Sequence, residues 1–393
     1  MHRQLSQAAC VDRQEVGVMS EGGREPVEAR STGGDPRADV DRTEALSERL
    51  FASAVGALEL YTIYLGERLG LYRALAESGA ATSTQLAART GTTERYVREW
   101  LEHHAASELL VVDDPRAEPL VRRYWLAPEH IPVLADPDDI RYEAYLGVDI
   151  VRGGRWLPQL VEAFRVGNAP PPLPWEPEGR EEANRALFLN LLGTEWLPAI
   201  VDLDTRLRAE PPARVLDVAC GTGWASIAMA QAYPNINAYG VDLDQDAISA
   251  ARRNADRAGV ADRVRFSVAD AADLGEAGGY DLVTIFEALH DMSRPVDALS
   301  ATRRMLADDG TLLVADGLVG DEFTVPATPL ERIAYAWSVV SCLPGAMGDP
   351  QTAATGAVMR PSMLREYARQ AGFSEVEVLP IHTDYWRFYR LLQ

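Results

Sequence analysis

The stretch Arg214–Asp244, RVLDVACGTGWASIAMAQAYPNINAYGVDLD, constrains the fold more than any other part of this 393-residue chain. Val215, Leu216 and Val218 form a short apolar run, the pattern of a buried strand. Asp217 lies within that run, and the loop Ala219-Cys220-Gly221-Thr222-Gly223 follows it. From Trp224 to Gln231 the pattern turns helical, with small residues suited to packing on a sheet. A second apolar strand, Ala238–Val241, ends in Asp242. Strand, glycine-rich loop, helix and strand-with-acid make the first half of a nucleotide-binding α/β sheet.

Residue types narrow the ligand. Glycines at 221 and 223 let the backbone turn tightly and approach a ligand where a Cβ would collide. Asp242, at the carboxyl end of its strand, can accept hydrogen bonds from two ribose hydroxyls. A dinucleotide site calls for G-x-G-x-x-G with a pyrophosphate at the helix N-terminus, yet Ser226 stands at the third glycine. Instead an acid, Asp217, leads into the loop. A carboxylate there repels phosphate and suits an ammonium group, which points to an amino-acid nucleoside, S-adenosyl-L-methionine (SAM). The segment resembles the class I SAM-dependent methyltransferases, whose first motif is an acid followed by alternating glycines. One of those glycines is replaced by Ala219, a small side chain with which binding is expected to survive. The resemblance implies cofactor contacts from Asp217, Ala219, Gly221, Gly223, Asp242 and Leu243.

Composition sets the outer limits. Hydrophobic residues at 47% and charged residues at 25% are ordinary for a globular enzyme. A formal net charge of −21 disfavours nucleic acid and anionic membranes as partners. No apolar run approaches the roughly 18 residues of a membrane helix. The N-terminal residues carry no continuous apolar core of a secretory signal, so a cytoplasmic location is expected. Cys10, Cys220 and Cys342 have neither metal-ligand spacing nor the look of a disulfide framework. Lysine is absent, which reads as coding bias.

Residues 1–42 are rich in Gly, Arg, Glu, Asp and Ser and are expected to be a disordered tail, with Met19 a second possible start. From Thr43 the pattern is helical: Leu46, Leu50, Ala54, Leu58, Tyr61, Leu65 and Leu69 mark one apolar face, closed by Gly70. A short helix from Leu71 follows, then a capped one from Thr82 to Gly91. A third opens at Thr92-Thr93 and carries Tyr96, Val97, Trp100 and Leu101. Leu109–Val112 and Tyr124–Leu126 read as two strands, completing a winged-helix pattern. Two readings compete, a DNA-binding regulator and a dimerisation platform. Thr82–Trp125 holds six Arg against seven acids, and Glu94, Glu99 and Glu102 on the third helix oppose phosphate. If DNA binding persists, Arg89, Arg95 and Arg98 are where to look. Many small-molecule O-methyltransferases resemble this plan, which implies homodimerisation through residues 43–130.

Residues 131–208 are expected to be helices roofing the acceptor pocket. Tyr142–Val166 reads as a helix, Pro170–Pro177 as a stiff loop, and Glu181–Leu207 as a long helix kinked at Pro198. Asn190 and Glu195, polar in an apolar run, are candidates to face the acceptor. Residues 209–393 complete a Rossmann-like, seven-stranded SAM-methyltransferase sheet, an α/β fold with an N-terminal α-helical winged-helix domain. Its later strands are Val264–Val268, Tyr280–Phe286 and Thr311–Ala315, then a terminal pair, Phe373–Pro380 and Tyr385–Leu391. Asp270 follows the third of the seven. The resemblance implies that an acid there bonds the adenine amino group, beside Ala271. The plain alternative is a helix cap.

After the fourth strand comes Glu287-Ala288-Leu289-His290-Asp291-Met292. Glu287 is assigned to the cofactor side. Leu-His-Asp resembles the segment of plant-type small-molecule O-methyltransferases in which the His is a general base. An imidazole titrating near neutrality can deprotonate a hydroxyl as it attacks the methyl. Asp291 could orient the ring, and Glu322 or Glu331 could help position it. The expected reaction is SN2 methyl transfer from SAM to a small-molecule acceptor, with catalytic His290 and Asp291 and no metal required. A SAM-responsive winged-helix regulator, and a SAM-binding enzyme with other chemistry, remain as alternatives. The resemblance extends to a bacterial group often labelled methyltransferase or transcriptional regulator.

Overall fold

A computed structural model describes residues 36–170, 184–275 and 278–393, with side chains from residue 41 onward. The chain divides into two compact units, Met1–Ala54 and Val55–Gln393. The expected tail falls largely outside the described residues. Its last part does not: helix α1 runs Pro36–Arg68, so the helix begins at Pro36 rather than Thr43. The Pro-rich loop of residues 171–183 also lies outside the described residues.

Three helices follow α1: α2 (Leu71–Ser78), α3 (Ser83–Thr90) and α4 (Glu94–Ala106). Thr82 closes a capping box with Gln85 at the start of α3, satisfying donors that the first turn would otherwise leave bare. Gly91, in the left-handed region at φ 66°, ends it. Strands β1 (Val111–Val112) and β2 (Tyr124–Trp125) pair antiparallel as the wing. Leu71, Tyr72, Leu86, Val97, Leu101 and Tyr124 share one buried core.

The helix expected over Tyr142–Val166 is two helices, Tyr145–Gly154 and Leu157–Val166. Gly153-Gly154 and Pro158 supply the break, since glycine weakens a helix end and proline suits a first turn. The kink at Pro198 is a full break: Arg185–Trp196 and Val201–Arg208 are bent by 100°. Residues Phe188–Trp196 are wound as a π-helix, a local widening frequent at functional sites. A Cβ on Gly193 would fall 2.1 Å from the Ala232 Cβ, so only glycine permits this segment its seat on the helix Trp224–Ala232.

The sheet has seven strands: β3 (Ala213–Val218), β4 (Ile236–Asp242), β5 (Val264–Val268), β6 (Tyr280–Phe286), β7 (Leu306–Gly317), β8 (Glu375–Val378) and β9 (Trp386–Leu392). Their spatial order is β5-β4-β3-β6-β7-β9-β8. The first five are parallel, and β9 runs antiparallel to both its neighbours. Alternation along the strands divides the core. Val215, Leu282 and Leu313 enter one buried cluster, and their neighbours Leu216, Val283 and Leu312 the other. Helices on both faces therefore cover a sheet whose carboxyl edge is left free for a ligand. No single helix among the described residues is long and apolar enough to cross a membrane.

Candidate active site

A cavity of about 1050 Å³ opens along that carboxyl edge. This is at the top of the usual range for ligand sites, about 300–1,000 Å³, and leaves room for two molecules side by side. Every cofactor residue expected from the sequence except Gly223 lines it, as do His290 and Asp291. Gly223 acts from behind: at φ 85°, a Cβ on it would stand 2.6 Å from the Phe266 ring.

The glycine loop is built from left-handed turns. Ala219 has φ 56°, Gly221 φ 52° and Gly223 φ 85°. Asp242 holds the loop from the neighbouring strand, its Oδ2 accepting the Gly221 N–H at 2.8 Å and its Oδ1 the Asp244 N–H at 2.9 Å. Asp217 is buried and accepts from Ser226 Oγ at 2.7 Å and Thr284 Oγ1 at 2.9 Å. Ser226, standing where a dinucleotide loop has its third glycine, thus anchors the acid that distinguishes this loop. Burial pushes the Asp217 carboxyl up to about 6 against those two hydroxyls.

Asp270 caps a turn at the cavity wall. Its Oδ1 caps the turn Ala271–Asp273 through the Ala272 N–H at 2.8 Å, while Oδ2 accepts from Arg294 at 2.9 Å. The residue faces the cavity beside Ala271, and Leu243 presents an apolar side chain there, 69% exposed. Glu287 has a left-handed φ of 50°, a costly conformation for a non-glycine residue. The residue is exposed to the cavity, yet protein packs closely around its carboxylate. Burial raises its pKa, and Asn184 donates to it at 2.8 Å.

His290 sits in the 3₁₀ turn Leu289–Asp291 immediately after β6, 6% exposed. Its Nδ1 faces Asp316 Oδ1 at 2.7 Å, and its Nε2 faces Asp291 Oδ1 at 3.3 Å. Burial pushes the imidazole down. The charge and hydrogen bond of Asp316, joined by Cys342 and Asp291, outweigh it, and the net direction is well up. The expectation that Asp291 orients the ring needs correction. Asp316, 1% exposed and braced by the Gly317 N–H at 2.8 Å, holds Nδ1, whereas Asp291 is half exposed on the other side. Adjacent side chains on a turn diverge, and the buried carboxylate comes from β7.

Four other candidates fall away from the ring. Glu331 is paired with Arg360 at 2.7 Å, and Glu322 is exposed and does not line the cavity. Asn190 donates to the Asp138 and Ala186 carbonyls, and Glu195 is exposed; neither reaches the cavity. A wider helical turn rotates side chains away from the face that a 3.6-residue period assigns. Their place at the wall is taken by Asn184, Tyr145, Trp337 and Trp386. Asp316 had a sequence signal like that of Asp242, an acid at the carboxyl end of a strand. Cys342 and Arg294 had none, since the insertion after β7 brings the first across the cavity and a loop the second.

The fold, with its acid-and-glycine loop at the carboxyl edge, is that of the class I SAM-dependent methyltransferases, preceded by a winged helix. Residues 210–343 match the family model described as a methyltransferase domain, and residues 56–135 match that of the Rv2258c-like winged HTH domain. Among curated proteins, the ubiquinone/menaquinone biosynthesis C-methyltransferase UbiE of Cereibacter sphaeroides is 32% identical over 141 residues, 36% of this chain and 53% of that one. The chain thus spans about half the length of the first curated relatives it matches. A putative O-methyltransferase of Nostoc punctiforme superposes with TM-score 0.61 at 22% identity, over 88% of this chain and 98% of that one. Human N-acetylserotonin methyltransferase, solved in complex with SAM, gives 0.65 at 16% identity over 92% and 99%. SAM is the cofactor of this fold, and the residues here fit it: acids at 217, 242 and 270 frame a backbone free of large side chains.

Proposed function

We propose that this protein is a SAM-dependent methyltransferase acting on a hydroxyl of a small, largely apolar molecule, with His290 as general base. The observation that carries the reading is the buried His290–Asp316 pair opening on the same cavity as the cofactor loop. Asp242 would bond the ribose hydroxyls and Asp270 the adenine amino group, whose remaining lone pairs allow it. Leu243 and Ala271 would cover the adenine, the 219–223 backbone and Glu287 would border the cofactor, and Asp217 would favour its ammonium end.

SAM supplies a methyl on a sulfonium, an electrophile strong enough to react without a metal. In the neutral ring Asp316 accepts from Nδ1–H and the lone pair lies on Nε2; because the acids around the ring raise its pKa, that basic form is reached only as pH rises. An acceptor hydroxyl entering beside Nε2 displaces the exposed Asp291 carboxylate and gives up its proton there as it attacks. Tyr145, Trp337 and Trp386 enclose the acceptor and limit water, so that binding aligns the reacting atoms.

The same reading makes the chain a homodimer of the cytoplasm. Leu50, Phe51, Leu58, Leu65 and Leu69 on α1 are exposed in the single chain, an apolar stripe that a second copy would cover. Free thiols at Cys220 and Cys342 suit a reducing compartment. On α4, Arg95 pairs with Glu99 at 2.5 Å and Arg98 with Glu94 at 3.2 Å, which leaves little charge for phosphate.

Calorimetric titration with SAM and with S-adenosylhomocysteine, beside an Asp242→Ala control, tests the cofactor site. Both ligands should bind and the control should weaken them; binding of neither would end the methyltransferase reading and favour a regulator or scaffold. Transfer of labelled methyl to a panel of small phenols then tests the base. His290→Ala should lose on the order of 10²-fold or more in turnover while keeping cofactor affinity. Full activity in that variant would exclude His290 as base. Cofactor binding with no methyl transfer to any acceptor would favour other SAM chemistry.

A further inference from the structure

The turn that delivers His290 also delivers Asp291, and the π-helical segment Ser338–Cys342 brings Cys342 across the cavity to meet them. One ligand atom from each of the three side chains lies within 4.8 Å of the other two. All three residues line the cavity. Nothing in their spacing along the chain suggests a site, because Cys342 lies 51 positions after Asp291 and the fold alone brings them together.

We propose that His290 Nε2, Cys342 Sγ and an Asp291 carboxylate oxygen form a binding site for a zinc-class divalent ion, its fourth position open to the cavity. The donor set selects the metal. Thiolate and imidazole favour zinc or cobalt over magnesium or calcium, which take oxygen ligands. The histidine–carboxylate edge has the length a tetrahedral ion requires. Nitrogen and oxygen ligands about 2.0–2.2 Å from zinc stand roughly 3.3–3.5 Å from each other. His290 Nε2 and Asp291 Oδ1 are 3.3 Å apart.

The surroundings are those of a metal-bound histidine. Nδ1 is held by a buried carboxylate at 2.7 Å, which in the neutral ring keeps the proton on Nδ1, turns Nε2 to the site and makes it a stronger donor. The second oxygen of Asp316 has no hydrogen-bond partner, so its negative charge is spent on the ring side of the site. Binding the ion expels the proton of the Cys342 thiol and, where the ring is charged, the proton on His290 Nε2, and sulfur and nitrogen form metal bonds in their place. Three protein ligands and an open position make a site that can accept a water or an oxygen of a bound molecule.

Such a site goes beyond methyl transfer and does not depend on it. The ion takes the lone pair on Nε2 that a base would need, so metal-loaded and base-competent protein are exclusive states. Zinc at this position is therefore an inhibitor of transfer to a hydroxyl.

Titration of the metal-depleted, full-length protein with Co²⁺ tests the site without an activity assay. One equivalent should bind, with a thiolate-to-cobalt charge-transfer band in the near ultraviolet that Zn²⁺ abolishes. Cys342→Ser should lose that band, Asp291→Asn should weaken binding, and Asp316→Asn should weaken it about tenfold or more. S-adenosylhomocysteine binding by each variant shows that it is folded, and Asp291→Asn, on the surface, covers the case in which Cys342→Ser is not. Absence of one-equivalent binding, or a band unchanged in folded Cys342→Ser, would overturn the proposal. A metal-binding chain that transfers no methyl would leave this site standing and remove the base assignment, which keeps the two failures distinct.

Discussion

Position 219 holds an alanine at φ 56°, where the Cβ crowds the backbone and a glycine would not. The strain costs about 1–2 kcal/mol, offset in part by the lower entropy of unfolded alanine. Ala219→Gly should therefore stabilise the protein by up to about 1 kcal/mol, seen as a higher thermal midpoint, with cofactor affinity kept or improved. An unchanged or lower midpoint would mean that the loop holds no such strain. Asp217 gives a second prediction of this size. Its carboxyl, pushed up to about 6 by burial, is half protonated two pH units above an ordinary aspartate. Affinity for the cationic cofactor should fall as pH drops through about 6, where an ordinary carboxylate would hold it to about 4. Stability moves the opposite way. The native state binds the proton more tightly than the unfolded chain, so the contribution of Asp217 is largest below about 4 and is lost as pH rises to about 6. Calorimetry from pH 5 to 8 with an Asp217→Asn control checks the binding limb, and a pH-independent affinity would refute it.

At the scale of elements, α1 carries the clearest consequence. Leu58 and Leu65 are 61% and 46% exposed, and each buried leucine gained is worth about 1.5–3 kcal/mol. The double change Leu58→Asp with Leu65→Asp should shift a dimer to monomer by at least about 100-fold in dissociation constant. Light scattering on the wild-type chain decides the matter first, since a monomer at micromolar concentration would dispose of the dimer. The elements themselves were largely legible in the sequence. β5 and β6 start and end where the apolar pattern places them, because the side chains a strand turns to the core must be apolar. The breaks were harder. Gly153-Gly154 and Pro158 split one expected helix, and the π-helical turn over Phe188–Trp196 leaves the hydrophobic pattern intact while rotating Asn190 and Glu195 off the cavity wall.

For the molecule as a whole, the sequence by itself determined the sheet, the glycine-rich loop and the histidine that follows the fourth strand of the sheet. These are local matters: strand alternation, turn chemistry and an acid or imidazole at a strand end are each settled within a few neighbouring residues. Asp217, Asp242, Asp270 and His290 were all found in that way, and all line one cavity. What surrounds His290 was decided only by tertiary structure. Asp316 reaches it because β7 lies beside β6 in the sheet, and Cys342 because the insertion after β7 folds back over the carboxyl edge. Neither partner is implied by its neighbours in the chain. The charge state of the imidazole, and whether its lone pair serves a proton or a metal, depend on contacts between segments that only the packed core brings within hydrogen-bonding distance.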